Sequence, residues 1–335
     1  MEQRRRVSIA VAGTVALFLT IQLGALALVE PFQSAGLQAV EDPDDPTNSL
    51  LYVGAILVAT GLMLAAFKFD LQWLIRGMVV LASVFLSWYV LVVVLPPIFT
   101  VGGVHVLAVV GALAIGAGLA LYPEWYVIDA AGVIMGAGAA GLFGITFGIL
   151  PALVLLVVLA VYDAISVYGT EHMLSLADNV MEIKVPVLLI IPVSPGYSFL
   201  DAGGTDASED DEPASEGRTD GESEPEPEPE PDDAPGRDAF FIGLGDAVIP
   251  TVLIASAAFF VQTPSLVPGI ALTVPALGGM IGMLAGLLVL LWMVLQGRAH
   301  AGLPLLNGGT IAGYLVGALA SGLTLTQALG LGPYL

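Results

Sequence analysis

The sequence predicts an all-α protein that crosses a membrane about nine times, with its N-terminus in the cytoplasm and its C-terminus outside. Hydrophobic residues make up 57% of the 335 residues and charged residues only 12%, proportions far from those of a soluble globular protein. Apolar runs of about 20 residues, the length at which a helix crosses a ~30 Å hydrocarbon core, recur along the chain. We therefore expect an integral, multi-pass membrane protein.

The apolar runs divide into nine expected spans, six before a long hydrophilic stretch and three after it. The first run follows a basic N-terminus but, at about 23 residues, exceeds the apolar core of a secretory signal, so we expect a retained span. The nine expected spans are residues 7–29, 49–67, 77–96, 101–121, 126–146, 147–168, 239–261, 270–296 and 303–325.

The positions of the basic residues predict the orientation. With nine spans and a cytoplasmic N-terminus, every Lys and Arg falls on the cytoplasmic side, as the positive-inside rule requires. The loop over residues 30–48, which carries acids and no base, then lies outside. The basic residues are Arg4, Arg5, Arg6, Lys68, Arg76, Lys184, Arg218, Arg237 and Arg298.

A cytoplasmic linker over residues 169–238 separates spans 1–6, in residues 1–168, from spans 7–9, in residues 239–335. Its apolar segment 185–195 is β-rich and too short to span. This segment either lies at the membrane interface and covers the bundle, or offers a strand edge to an extended peptide. The run over residues 201–238 is acidic and contains EPEPEPEPD, so we expect a disordered, solvated spacer.

The net charge of −21 comes mostly from acids in the linker. An acidic chain with few lysines suits a cell with a high-salt interior, so we expect the plasma membrane of a prokaryote, of halophilic type. We expect the lipid bilayer as a partner and no nucleic acid.

Several chemistries are excluded by what the sequence lacks. The absence of cysteine excludes thiol catalysis, cysteine metal sites and disulfides. No HExxH zinc motif, GxSxG serine motif, Walker loop or dinucleotide fingerprint occurs. We therefore expect neither a metal site nor a cofactor.

Two aspartates lie inside expected spans, Asp163 in the sixth and Asp246 in the seventh. An ionisable group at membrane depth costs at least a few kcal/mol and normally faces a cavity and a partner. Each lies about six residues, or roughly 9 Å, from the cytoplasmic end of its span, and the two spans run antiparallel, so their side chains are expected to meet. Gly243 and Gly245 permit close approach beside Asp246. Tyr162 is expected to pack over the site or donate a hydrogen bond.

Two carboxyl groups about 3 Å apart at low dielectric share one proton, so one acts as an acid and the other as a base. Such a pair hydrolyses a peptide bond with an activated water and no metal. The same acids also suit an ion or proton pathway, in which no bond is cleaved. A membrane chaperone that binds helices without using the acids is a third reading.

The residues around the two aspartates resemble two motifs of one family. The dipeptide Tyr162-Asp163 resembles the YD motif of the presenilin and signal peptide peptidase family of intramembrane aspartyl proteases, which includes archaeal presenilin homologues. The tetrapeptide Gly243-Leu244-Gly245-Asp246 resembles the GLGD motif of the same family. The nine-span plan with a long loop between the motifs is also similar. The resemblance implies an intramembrane endopeptidase whose catalytic dyad is Asp163 and Asp246, in the presenilin orientation, and single-span substrates with their N-termini outside.

The family's third motif, Pro-Ala-Leu, is altered in this chain. The best alignment places Ala301-Gly302-Leu303 against it, followed by Pro304, and the resemblance implies that Gly302, Leu303 and Pro304 shape the substrate site. Literal Pro-Ala-Leu triplets at residues 151–153 and 275–277 are expected at the outer ends of their spans, far from the aspartates.

Overall fold

The computed structural model describes residues 2–40, 42–69, 71–169, 187–193, 196–200, 239–296 and 301–332. The acidic run 201–238 lies outside the described residues. Within them the predicted multi-span helical fold is confirmed. The helices are α1 Glu2–Ser34, α2 Thr47–Lys68, α3 Gln72–Val94, α4 Val106–Leu121, α5 Trp125–Thr146, α6 Ile149–Gly169, α7 Leu244–Phe260, α8 Val274–Val294, α9 Gly302–Ala320 and a short α10 Leu325–Ala328.

Seven helices of the described chain are long and apolar enough to cross a membrane, whereas α4 and α7 have only 16 and 17 residues. At 1.5 Å per residue, these two reach roughly 24–26 Å of a ~30 Å core. Short strands precede both: β1 (Thr100–Val101) and β2 (Val104–His105) before α4, and β4 (Ala239–Gly243) before α7. The sequence predicts that these two helices begin at residues 101 and 239. Both predicted starts are wrong, because the helices begin at Val106 and Leu244.

The segment expected to start the seventh helix instead forms a strand pair with the linker. Strand β3 (Leu188–Pro192) runs antiparallel to β4, with Leu188 opposite Gly243 and Pro192 opposite Ala239. A short apolar run such as AFFIG does not distinguish a strand from a buried helix by its pattern. The β-branched and aromatic residues of both segments favour the strand once a partner is available.

Strand β3 covers the helix bundle, in agreement with one of the two roles expected for segment 185–195. Its three central residues, 189–191, are buried. Leu189 packs towards Gly132 of α5, where an added β-carbon would lie 3.2 Å from a Leu189 methyl carbon, and Ile191 packs towards Gly13 of α1. The strand pair is thereby anchored to two helices of the core.

Helices α8 and α9 pack backbone against backbone along a glycine row, defined as Gly278, Gly282 and Gly286 of α8 with Gly309, Gly313 and Gly317 of α9. An added β-carbon on Gly282 would overlap the carbonyl oxygen of Gly309, and one on Gly313 would overlap that of Gly278. Small residues allow such close approach in membrane bundles. The adjacent Gly308, which lies one residue outside this four-residue repeat, faces open space.

Glu124 caps the N-terminus of α5 and holds residues 196–200 against it. Its carboxylate accepts hydrogen bonds from the Ser198 hydroxyl at 2.6 Å, the Phe199 N–H at 3.1 Å and the Trp125 N–H at 3.2 Å. The side chain is buried. Burial raises the pKa of Glu124, but these hydrogen bonds to the charged form outweigh burial and leave the pKa below its ordinary value.

This lowered pKa predicts a pH-dependent contribution to stability. Because the folded-state pKa is depressed, the contribution is present above the ordinary value of 4.5 and is lost as the pH falls through the lower folded value. We expect Glu124→Gln to destabilise the protein by about 1.5–3 kcal/mol at pH 6. The difference in thermal midpoint between wild type and Glu124→Gln, measured in detergent, should shrink between pH 6 and pH 3. A constant difference would contradict the assignment.

Candidate active site

Asp163 lies on α6, six residues before the end of the helix, and its side chain is 8% exposed. One carboxylate oxygen accepts the backbone N–H of Leu303 at 3.0 Å, and the N–H of Gly302 also donates to this carboxylate. Both donors lie in the first turn of α9, where backbone N–H groups have no partner within the helix. The start of α9 therefore meets Asp163 directly.

Asp246 lies in the first turn of α7, only three residues after the N-cap residue Gly243. The expected start of this helix at residue 239, which would place Asp246 about two turns inside the span, is wrong, because β4 occupies residues 239–243. Gly243 accordingly lies at the end of a strand rather than within a helix.

Gly302 brings the two carboxyl groups into one site. Its N–H donates to Asp163, and a β-carbon added to it would lie 3.2 Å from a carboxylate oxygen of Asp246. Among the described residues, no group of three or more His, Asp or Glu side chains is placed to hold a metal ion.

The segment Ala301-Gly302-Leu303 occupies the position at the dyad expected from its alignment. Ala301 is the buried N-cap of α9, and its N–H donates to the Tyr168 hydroxyl at 3.4 Å. Pro304 follows in the first turn, where a missing N–H removes no helical hydrogen bond. Tyr168 belongs to no recognised motif, and its position five residues after Asp163 on α6 is the only feature of the sequence that points to it.

The other expected site residues lie around the dyad in different environments. Leu244 is buried, and its N–H donates to the carbonyl of Val187 at 2.8 Å, which extends the strand ladder into α7. Gly245 is exposed. The Tyr162 side chain is 40% exposed, and its hydroxyl makes no hydrogen bond within the described residues. The Tyr162 side chain therefore lies on an exposed side of α6, next to Asp163 in the chain.

An apolar groove of about 240 Å³ reaches Gly245, one residue from Asp246. Glycine and alanine on α5 and the exposed backbone of α7 leave room between α3, α5 and α7. Such a groove can take up the side chains of an apolar helix. Its lining residues are Leu86, Met135, Gly136, Ala139, Val187, Leu244, Gly245 and Val248.

The two literal Pro-Ala-Leu triplets lie at helix ends remote from the dyad. Residues 151–153 fall in the first turn of α6, twelve residues and roughly 18 Å from Asp163 along the axis. Residues 275–277 lie in the first turn of α8. Gly302, which contacts the aspartates, follows the opposite end of α8 in the chain, so this triplet lies about one helix length away from them. Neither triplet contributes to the site.

Comparison with known proteins identifies a family model and solved structures similar to this chain. A model described as signal-peptide peptidase, presenilin aspartyl protease matches residues 15–323, which include both aspartates. A structure of a presenilin family intramembrane aspartate protease is 32% identical, covers 92% of this chain and 99% of its own, and superposes with a TM-score of 0.62. A second structure of the same description, in another space group, is 31% identical over 92% and 97%, with a TM-score of 0.59. No curated protein sequence matches.

Proposed function

We propose that Asp163 and Asp246 are the catalytic dyad of this chain, which belongs to the signal-peptide peptidase and presenilin aspartyl protease family and is an intramembrane aspartic endopeptidase. The observation that carries the proposal is the convergence of α6, α7 and α9 on two carboxyl groups joined through Gly302. The substrates that we propose are single-span membrane proteins, cleaved within their transmembrane helices.

The dyad hydrolyses a peptide bond by general acid and base catalysis. The backbone N–H groups of Gly302 and Leu303 are satisfied by an ionised carboxylate, so we assign Asp163 as the base. Asp163 takes a proton from water while the resulting hydroxide attacks the carbonyl carbon. The protonated Asp246 donates to the carbonyl oxygen and supports the tetrahedral intermediate. Asp163 then gives the proton that it took from water to the amide nitrogen, the C–N bond breaks, Asp246 recovers its proton as the carbonyl re-forms, and a carboxylic acid and an amine are released.

The substrate helix must unwind locally before its carbonyl groups are accessible, because helical hydrogen bonds occupy them. Strand β4 supplies an alternative set of hydrogen-bonding partners. The bond from Leu244 N–H to the carbonyl of Val187 fixes the register, so the N–H and C=O groups of Phe241 point away from β3. Within the described residues these groups are unpaired. An extended substrate that pairs with this edge is led directly towards Asp246.

Among the described residues the unpaired edge therefore belongs to β4, whereas the outward N–H of Ile190 in β3 is bound by Asp129. We propose that the substrate helix rests in the groove beside Gly245 and continues as a strand along β4. The N-terminus of the enzyme lies in the cytoplasm in this arrangement, and the substrate N-terminus lies outside. We propose residence in the plasma membrane of a prokaryote with a high-salt interior, since the chain is strongly acidic.

Removal of a single backbone N–H from β4 tests whether the substrate pairs with the edge of this strand. Phe241→Pro removes the outward N–H, and proline is tolerated in edge strands where the N–H is not used in the ladder. We expect KM for a single-span substrate to rise by about tenfold or more, the value of one or two hydrogen bonds. Phe241→Val, which removes only the aromatic ring, should retain the wild-type KM within about threefold. Equal KM values for both variants would contradict strand pairing at β4.

The proposed activity is tested by incubating the purified protein in detergent with a single-span substrate and identifying the products by mass spectrometry. We expect new termini within the span. A substrate analogue with a tetrahedral hydroxyl-bearing carbon in place of the scissile carbonyl should inhibit cleavage, because catalytic groups bind the transition-state geometry more tightly than the substrate. Absence of cleavage combined with ion flux through reconstituted vesicles would contradict the proposal.

A further inference from the structure

Another buried acid, Asp129 of α5, binds strand β3 rather than the dyad. Its side chain is 7% exposed, and one carboxylate oxygen accepts the backbone N–H of Ile190 at 2.8 Å. Ile190 is the central residue of β3 and is itself buried. A carboxylate bonded to a backbone N–H within a packed core fixes both position and direction, because few other arrangements satisfy the two groups.

The register of the strand pair explains why this N–H is available to Asp129. The residue pairs 187–244, 189–242 and 191–240 exchange hydrogen bonds across the ladder, so the N–H of Ile190 points away from β4 and towards α5. The next outward position on β3 is Pro192, which has no N–H. Asp129 and Pro192 therefore leave β3 unsuited to pairing with a further strand on this side.

Helix α5 also holds the strand pair where it joins α7. Leu244 packs towards Gly132 and Gly136, where an added β-carbon on Gly136 would lie 3.2 Å from a Leu244 methyl carbon. Asp129 thus binds β3, and Gly132 and Gly136 make room for Leu244, the residue that follows β4. Since Asp246 is two residues beyond Leu244, the same helix fixes the position of β4 relative to the dyad.

We propose that Asp129 is a positioning residue that fixes the strand pair relative to the dyad and thereby sets which substrate bond is cleaved. The inference rests on the proposed function, because it assumes that an extended substrate pairs with β4. Asp129 itself touches neither the dyad nor the reacting atoms. When its carboxylate is lost, β3 is released from α5, β4 shifts with it, and the substrate segment presented to the dyad varies.

The variants Asp129→Ala and Asp129→Asn separate this role from simple structural support. The asparagine amide retains an oxygen that accepts the Ile190 N–H, whereas alanine has no acceptor. For Asp129→Ala we expect cleavage to spread to neighbouring bonds and KM to rise about tenfold, the value of one hydrogen bond to a charged group, with kcat within about threefold of wild type. Asp129→Asn should restore the wild-type products. Ser256→Ala, which removes a buried hydrogen bond from α7 to the Phe147 carbonyl, is the control for general destabilisation and should not shift the cleavage sites.

Hydrogen exchange of residues 187–193 supplies a measurement that does not depend on activity. Faster exchange in Asp129→Ala, but not in Asp129→Asn or Ser256→Ala, is expected. Unchanged exchange in Asp129→Ala would overturn the inference whatever the activity. If Asp163→Ala abolishes cleavage but Asp129→Ala leaves the products and KM unchanged, the inference is overturned and the proposed function stands. Cleavage that persists in Asp163→Ala would remove the proposed function and the inference together.

Discussion

Replacement of Asp163 or Asp246 by alanine is expected to lower the rate of cleavage by at least about 10²–10⁴-fold, because each residue supplies one half of the general acid and base catalysis. The two effects should not add in a double variant, since a single carboxyl group cannot transfer the proton in both directions. Asparagine in either position keeps the shape and hydrogen bonding of the side chain but cannot exchange a proton. We therefore expect asparagine to be as inactive as alanine.

The measurement is the initial rate of product formation from a single-span substrate, followed by mass spectrometry. Thermal unfolding in detergent shows whether each variant retains the fold. Asp45→Ala is the matched control, because Asp45 accepts the N–H of Thr47 at the start of α2 and makes no contact with the dyad. Substantial cleavage in Asp163→Asn with a preserved fold would refute the dyad assignment and favour an active centre elsewhere.

A single methyl group on the glycine row is expected to reduce both stability and activity. A β-carbon on Gly309 would overlap the carbonyl oxygen of Gly282, so Gly309→Ala must separate α9 from α8. The neighbouring Gly308 faces open space, and Gly308→Ala should be neutral or stabilising by up to about 1 kcal/mol, since alanine favours helix. We expect Gly309→Ala to cost about 1–3 kcal/mol or more, because overlap with backbone is not relieved by a change of rotamer.

The loss of activity in Gly309→Ala follows from the position of its helix. Helix α9 begins at Gly302, whose N–H binds Asp163 and whose α-carbon borders Asp246. A displacement of about 1 Å at a catalytic group costs on the order of 10²-fold in rate. Thermal midpoint and cleavage rate should fall together in Gly309→Ala, and neither should fall in Gly308→Ala. Equal behaviour of the two variants would show that the close helix contact is not required.

The sequence was sufficient for the helical membrane fold because the physical signal is contained within each segment. A run of about 20 apolar residues needs no knowledge of its neighbours to be recognised as a span. The nine expected runs correspond to helices α1–α9, and the boundary between α5 and α6 falls close to the expected residue. Asp163 and Asp246 were identifiable for the same reason, since an acid in an apolar run is conspicuous by itself.

The start of α7 could not be obtained from the sequence in this way. AFFIG satisfies the pattern of a helix and that of a buried strand equally, and the choice depends on the partner supplied by β3, about 50 residues earlier in the chain. The role of Asp129 is hidden for a similar reason. An acid at the start of a span resembles an interfacial residue until the strand that it binds is placed beside it.

The sequence by itself determined the membrane-spanning helical class, and it singled out the two aspartates and the segment Ala301-Gly302-Leu303 as candidates for the site. Only the tertiary structure decided which backbone groups meet the carboxylates, which glycines bring α8 and α9 together, and which strand edge is unpaired within the described part of the chain. The physical reason is range: hydrophobic burial in a bilayer is read from local composition, whereas hydrogen-bond partners and backbone contacts are chosen between segments that are distant in the chain.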